Sequence, residues 1–185
     1  MNRIIKFRGK RIDNGEWVCG YYVIIDKKHY IFSGEMGDFP VHPVSHWTYK
    51  SPIRYEVYKE SVSQFTELYD RNGKEIYEGD IFEKTSRPRI YRRILDQDGV
   101  YKGEDYDVHP GVLIRFKVDW NCEDAYFDAQ IIYVNPEGVK TGSTLVPRST
   151  IEVGKLHPLS WYFNENKSEE IIGNIHDNPE LLTAK

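Results

Sequence analysis

The sequence has little cysteine and no long apolar run. Only Cys19 and Cys122 occur in 185 residues, too few and too far apart to indicate a disulfide framework. No stretch approaches the roughly 18 continuous apolar residues that a membrane helix needs. The first twelve residues are too rich in charge to hold the apolar core of a secretory signal. We therefore expect a reduced, cytoplasmic protein without a membrane partner.

The sequence also lacks the short motifs of common catalytic and metal sites. It contains no Gly-rich phosphate loop, no Gly-x-Ser-x-Gly turn and no Cys/His pair with the spacing of a nucleophile and its base. His42 and His46 are four residues apart, but Pro43 between them disfavours the helix that would align both on one metal ion. The carboxylates of Glu123, Asp124 and Asp128 could serve acid–base chemistry or bind a hard cation, but an acidic loop between strands is ordinarily solvated. We predict no enzyme, no metal and no cofactor.

Aromatic residues are what the sequence has in abundance, with 14 Tyr, 8 Phe and 4 Trp making 14% of the chain. Such residues suit the half-buried surface of a sheet. Residues 112–120 alternate strictly between apolar and mostly polar side chains, which predicts a strand with one buried face. No segment of about 12 residues has helical periodicity. Asn178-Pro179-Glu180 is a helix-start pattern, but the residues that follow it allow only a turn or two. The sequence therefore predicts a mainly β protein.

A change of character near residues 61–64 predicts a domain boundary. We assign residues 1–62 to an N-terminal β subdomain and 63–185 to a C-terminal domain. In the second part, the pair Asn72-Gly73 predicts a tight hairpin turn. The pair Gly79-Asp80 before an apolar strand is typical of small SH3-like barrels, in which Gly makes a sharp turn and Asp braces it. We expect an SH3-like small β-barrel with inserted loops.

Three blocks of the sequence follow one another along the chain: Ile5-Lys6-Phe7-Arg8-Gly9-Lys10 with Trp17 and Gly20; Gln64-Phe65-Thr66 to Leu68, with Asp70 and the run Asn72 to Ile81; and Ile172 to Ile175 with Asn178 to Leu182. Together these blocks resemble the YopX family of phage and prophage proteins. The resemblance implies an N-terminal β region, an SH3-like barrel, a mobile-element origin and a bacterial host, and it carries no catalytic residues. Glu67 departs from the usual Gly of the family, and residues 87–110 and 136–158 look like insertions.

The first insertion begins with four arginines and a tyrosine, which are the candidate nucleic-acid-binding residues: Arg87, Arg89, Tyr91, Arg92 and Arg93. Guanidinium groups that follow phosphates, beside a ring that stacks a base, are typical of nucleic-acid contact. Acidic residues follow between 96 and 107, so the segment can instead fold back as a hairpin that neutralises itself. A different acidic partner is the third reading, and the sequence leaves all three open.

The leading interpretation is a non-enzymatic binding module of a phage or prophage, with an unidentified protein or nucleic-acid partner. Loops on a rigid scaffold are the usual place for such a function. The net charge of −4 does not attract nucleic acid over the whole molecule, although a local basic patch still can. The alternative is a structural protein that assembles into homo-oligomers through open sheet edges.

Overall fold

The computed structural model describes residues 4–33, 53–86, 89–108, 111–134, 153–164 and 167–183. These residues form antiparallel strands and short 3-10 turns, and the prediction of a mainly β protein is confirmed. Within these ranges no helix has the length and apolar character needed to cross a membrane. The chain divides into two compact units, one comprising Met1–Leu68 with Glu75–Glu78 and the other Tyr69–Lys74 with Gly79–Lys185.

Six strands form the sheet of the first unit. They are β1 (Phe7–Lys10), β2 (Trp17–Ile25), β3 (Lys28–Ser33), β4 (Ile53–Glu56), β5 (Ser63–Tyr69) and β6 (Glu75–Tyr77). Their order in the sheet is β4-β3-β2-β1-β5-β6. The strand β5, which the sequence reading placed at the start of the second domain, joins the first sheet because it pairs directly with β1.

The core of the first unit lies on one face of this sheet. Ile31, Val57 and Ile76 are buried there, and the ring of Phe7 packs against that of Tyr22 on the same face. The chain just after β4 returns to the end of β1, where Val57 forms a bridge with residue 11. The opposite face is buried where β5 and β6 contribute to it and partly exposed at the β4 end.

The second unit is built on an antiparallel sheet of five strands. They are β7 (Asp80–Ser86), β10 (Val112–Asn121), β11 (Tyr126–Val134), β12 (Leu156–Pro158) and β15 (Ile171–Asn174), in the order β12-β11-β10-β7-β15. Two further pairs are β8 (Arg89–Leu95) with β9 (Tyr101–Val108), and β13 (Phe163–Asn164) with β14 (Lys167–Ser168). The predicted strand at 112–120 is confirmed, with Val112, Ile114, Phe116 and Val118 buried and the other residues half-buried.

Packed rings form the centre of the second unit. The ring of Phe82 on β7 stacks on that of Phe116 on β10, with centroids 4.9 Å apart. Phe163 meets Phe82 edge-on at the same centroid distance. All three side chains are buried. Alternating phenylalanines on neighbouring strands thus come together because β7 and β10 pair in register, with Phe82 opposite Phe116.

The predicted SH3-like barrel is not confirmed. None of the sheets in the described ranges closes on itself, and β12 and β15 form the two edges of the five-stranded sheet. The local features that suggested a barrel are nevertheless present. Gly79 has φ +79°, the buried Asp80 follows it, and Gly73 occupies a turn with φ +77°. The helix-start pattern at Asn178 gives a 3-10 turn over Pro179–Leu182.

Candidate nucleic-acid interface

Four of the five predicted nucleic-acid-binding residues lie on one strand, β8: Arg89, Tyr91, Arg92 and Arg93. Arg87 lies outside the described residues. The β8–β9 pair occupies the connection between β7 and β10, and its backbone register sets Arg92 opposite Asp105 and Arg93 opposite Glu104. Residues 89–108 contain four Lys or Arg against five Asp or Glu. The backbone thus takes the form expected of a self-neutralising hairpin, and a nucleic-acid role for these arginines stays a prediction.

A second surface combines rings and cations on the face of the first sheet opposite Ile31, Val57 and Ile76, and we call it the ring-and-cation face. Side chains two apart on a strand share a face, and register relates the strands to one another. Its rings are Trp17, Tyr21, Tyr30, Phe32, Phe65 and Tyr77. Its cations are Lys6, Arg8, Lys10, Lys28 and Arg54, and its carboxylates are Glu56 and Glu75.

Arg8 is the centre of one end of this face. Its guanidinium carbon lies 4.6 Å from the ring centroid of Trp17 and 4.6 Å from that of Tyr77, and the residue is only 7% exposed. Lys10, two residues further along β1, has its ammonium 5.7 Å from the Trp17 centroid. A cation over a ring is attracted more strongly when water is excluded. The cations of β1 therefore hold the Trp17 and Tyr77 rings in fixed orientations.

A network of hydrogen bonds adjoins this cluster. Lys6 Nζ donates to both carboxylate oxygens of Glu75, at 2.8 and 2.7 Å. Tyr77 donates its hydroxyl proton to Glu75 Oε2 at 2.6 Å, and the same hydroxyl lies 3.5 Å from Cys19 Sγ. Burial, reinforced by the hydrogen bond to Glu75, raises the pKa of Tyr77 above its usual value. Tyr77 therefore acts as a hydrogen-bond donor that holds the carboxylate of Glu75 in place.

Glu75 gives the first unit a testable acid sensitivity. Burial acts to raise the pKa of Glu75, but hydrogen bonds from Lys6 and Tyr77 outweigh it, and the pKa lies below its usual 4.5. A carboxylate with a lowered folded-state pKa adds stability above its unfolded pKa, and that stability is lost as pH falls through the folded value. We expect Glu75→Gln to be less stable than the parent chain at pH 7, and the difference to shrink as pH falls below about 4.5.

Urea unfolding at a series of pH values between neutral and strongly acid measures this difference. The exposed Glu60, at a 3-10 turn of the same unit, provides the control substitution Glu60→Gln. If the difference in free energy of unfolding between Glu75→Gln and the parent stays constant from neutral to acid pH, the stabilising role of the Glu75 carboxylate is wrong. A change in packing alone would give such a constant difference, because it does not depend on the titration of a carboxyl group.

The other end of the ring-and-cation face is open to water. Arg54 is exposed and its guanidinium carbon lies 5.4 Å from the Tyr30 ring centroid. Lys28 Nζ is 3.0 Å from Glu56 Oε2, and both groups contact solvent. The rings at this end, Tyr30 and Phe32, are half-buried. A ligand can therefore reach both charge and ring surface there.

Sequence reasoning missed this face although the signal was present. Lys6, Arg8 and Lys10 have the period-two spacing that places side chains on one face of a strand, and the sequence analysis did not use it. Trp17 is half-buried beside them. The contribution of Tyr77 depends on the strand order β1-β5-β6, which no local sequence pattern predicts.

The acidic loop that follows β10 leads to Asp128 on β11. Asp128 is buried, and its Oδ2 accepts a hydrogen bond of 3.0 Å from Asn121 Nδ2. Its other oxygen, Oδ1, has no hydrogen-bond partner within the part of the chain that the structure describes. In the same part, no group of three or more His, Cys, Asp or Glu side chains is placed to hold a metal ion.

The architecture defines an all-β protein of antiparallel sheets, with a ring-and-cation face on the first of them. The chain belongs to the YopX protein family, whose model matches residues 6–140. Every member of the ring-and-cation face lies within that matched range, whereas the third resemblance block lies beyond it. No match to a curated protein or to a solved structure was found.

Proposed function

We propose that this chain is a non-enzymatic binding module of a phage or prophage, active in the cytoplasm of a bacterial host, and that its ring-and-cation face binds single-stranded nucleic acid. The observation that carries the proposal is the local charge. Five cations against two carboxylates give this face a charge of +3, whereas the whole chain has −4. A local cationic surface attracts phosphate even when the whole molecule does not.

The rings of the face supply the second part of the argument. Base stacking on aromatic side chains contributes about 1–3 kcal/mol per base and needs no particular sequence. Tyr30 and Phe32 lie on β3 beside the cations Lys28 and Arg54, so phosphate contacts and stacking are available within a few ångströms of one another. A groove of positive charge beside rings is the general arrangement of proteins that bind single strands without sequence preference.

We propose that the second unit is SH3-like in connectivity, although its sheet is open. Four of its strands, β7, β10, β11 and β12, follow one another as neighbours, and β15 returns to pair with β7 after a 3-10 turn at Leu159–Trp161. Such a return links the first and last strands of the unit, as a small barrel requires.

Fluorescence anisotropy with a labelled single strand tests the function. The strand should be longer than the roughly 4–16 nucleotides that one OB fold covers. The face variant combines Lys10→Ala, Lys28→Ala and Arg54→Ala. We expect affinity to fall at least tenfold and the slope of log affinity against log salt to shrink by about 2, since each phosphate contact contributes about 0.7 for single strands. The control variant combines Lys27→Asn, Lys59→Ala and Lys74→Ala, which remove the same charge at exposed positions off the face.

A third variant replaces the four arginines of the first insertion with Ala and separates the two candidate surfaces. If that variant loses binding and the face variant keeps it, the hairpin is the site and the face assignment is wrong. If the parent chain binds no single strand at low salt, the nucleic-acid function is wrong. Equal losses in the face and control variants would show that only net charge matters.

A further inference from the structure

A carboxylate lies beside the ring of Tyr30 at the open end of the ring-and-cation face. In the antiparallel register of β3 with β4, Glu56 is directly opposite Tyr30. Side chains opposite each other in such a pair have Cβ atoms about 4.5–5.5 Å apart. On the other side, the register of β2 with β3 places Val23 opposite Tyr30, and Val23 is 40% exposed. The ring therefore lies between an apolar side chain and a carboxylate.

One oxygen of this carboxylate is oriented and the other is available. Lys28 Nζ donates to Glu56 Oε2 at 3.0 Å. Glu56 Oε1 has no hydrogen-bond partner among the residues that the structure describes, and the side chain is 35% exposed. An ionised carboxylate has about four sites for hydrogen bonds on its two oxygens. The pair with Lys28 therefore holds the group in position and leaves Oε1 as an acceptor that a ligand can reach.

The nucleic-acid bases differ in what they offer to such an acceptor. Cytosine, adenine and guanine each carry an exocyclic amino group, which donates hydrogen bonds. Thymine presents the carbonyl oxygen O4 where cytosine has its amino group N4, and uracil presents the same oxygen as thymine. A carboxylate only accepts hydrogen bonds, so it attracts an amino group and repels a carbonyl oxygen.

We propose that Glu56 accepts a hydrogen bond from the exocyclic amino group of a base stacked on Tyr30, so that the ring-and-cation face prefers bases with this group to thymine and uracil. The base turns its polar edge to Glu56 and its apolar edge to Val23. Arg54, two residues from Glu56 on β4 and with its guanidinium carbon 5.4 Å from the Tyr30 centroid, is placed to bind the phosphate of that nucleotide. The inference rests on the proposed binding of single strands and adds a preference at one base position.

Fluorescence anisotropy with two labelled strands of equal length, oligo(dC) and oligo(dU), tests the preference. Cytosine and uracil have rings of the same size and differ in the amino group N4 against the carbonyl oxygen O4. Slightly alkaline buffer keeps the cytosine ring unprotonated. We expect the parent chain to bind oligo(dC) about tenfold more tightly than oligo(dU), which is the ratio that a hydrogen bond to a charged group worth about 1.4 kcal/mol gives.

Glu56→Gln is the variant that identifies the reading group. A glutamine amide both donates and accepts hydrogen bonds, so it pairs with either base, and the affinity ratio should fall to near unity. Affinity for oligo(dU) should rise, because the variant also removes a negative charge from the face. The control Glu60→Gln removes the same charge at an exposed 3-10 turn off the face and should keep the preference of the parent. Circular dichroism confirms that each variant is folded.

The affinity ratio separates this inference from the function on which it rests. If the parent chain binds oligo(dC) and oligo(dU) equally well, the inference is wrong and the proposed function stands. If the preference persists in Glu56→Gln, base stacking causes it and the role of Glu56 is wrong. If Glu60→Gln loses the preference as well, net charge causes it and the role of Glu56 is again wrong. A parent chain that binds neither strand at low salt contradicts the proposed function and the inference together.

Discussion

Gly20→Ala should destabilise the first unit by about 3 kcal/mol or more, because overpacking against an immovable neighbour exceeds the usual cost of an added methyl group. A Cβ atom on Gly20 would lie 2.0 Å from the backbone carbonyl oxygen of Phe32 and 3.3 Å from the Ile31 side chain. Phe32 belongs to β3, which pairs on both sides. Its backbone therefore cannot retreat without breaking the ladder to β2 or β4.

The control for this substitution is Gly15→Ala. Gly15 has φ +74°, but an added Cβ there would meet no atom within 4 Å. Its expected cost is only the roughly 1–2 kcal/mol of placing a side chain in the left-handed region. Urea unfolding, followed by tryptophan fluorescence and by circular dichroism, measures both variants. Equal losses would show that backbone conformation, rather than the close approach of β3, decides the effect at Gly20.

Arg115→Met should cost the second unit about 2–3 kcal/mol, since removing one member of a largely buried ion pair leaves the other uncompensated. Arg115 donates from Nε and Nη2 to Glu83 Oε1, at 2.8 and 2.6 Å, and from Nη1 to the Leu181 carbonyl oxygen at 2.8 Å. The side chains of Arg115 and Glu83 are 15% and 25% exposed. The loss should also free the C-terminal 3-10 turn, which limited proteolysis detects.

Two further variants define the cause of that loss. Arg71→Met removes an ion pair with Glu170 whose side chains are much more exposed, and we expect it to change stability by no more than about 1 kcal/mol. Adding Glu83→Met to Arg115→Met should restore part of the stability, because two apolar side chains leave no buried charge behind. If the double variant is no more stable than Arg115→Met, the packing of the arginine stem outweighs its charge.

Predictions from short-range sequence patterns agree best with the structure. The turn at Asn72-Gly73 follows because Asp70 accepts hydrogen bonds from the N–H groups of Asn72 and Lys74, and each partner is within four residues. The strand around Phe116 follows from strict alternation, since one face had to be apolar wherever the strand was paired. Both features depend on neighbours along the chain, and both are confirmed.

The candidate site was less accessible to such reasoning. The arginine-rich segment stands out in composition, yet the structure sets Arg92 and Arg93 opposite carboxylates of β9. The residues of the ring-and-cation face do not form a conspicuous run in the sequence. It arises because β1 lies between β2 and β5, so that Arg8 meets rings from two other strands that are 9 and 69 residues away in the sequence.

The sequence by itself determined the fold class, the family, the turns and the alternating strand around Phe116. Each of these depends on backbone preference, side-chain alternation or motif order, which can be read from residues that are close in the sequence. Tertiary structure decided the membership of β5 in the first sheet, the open edges of the second sheet, and the meeting of Arg8 with Trp17 and Tyr77. Those outcomes depend on which strands pair across long loops. Pairing is selected by the packing of whole faces rather than by any residue and its neighbours.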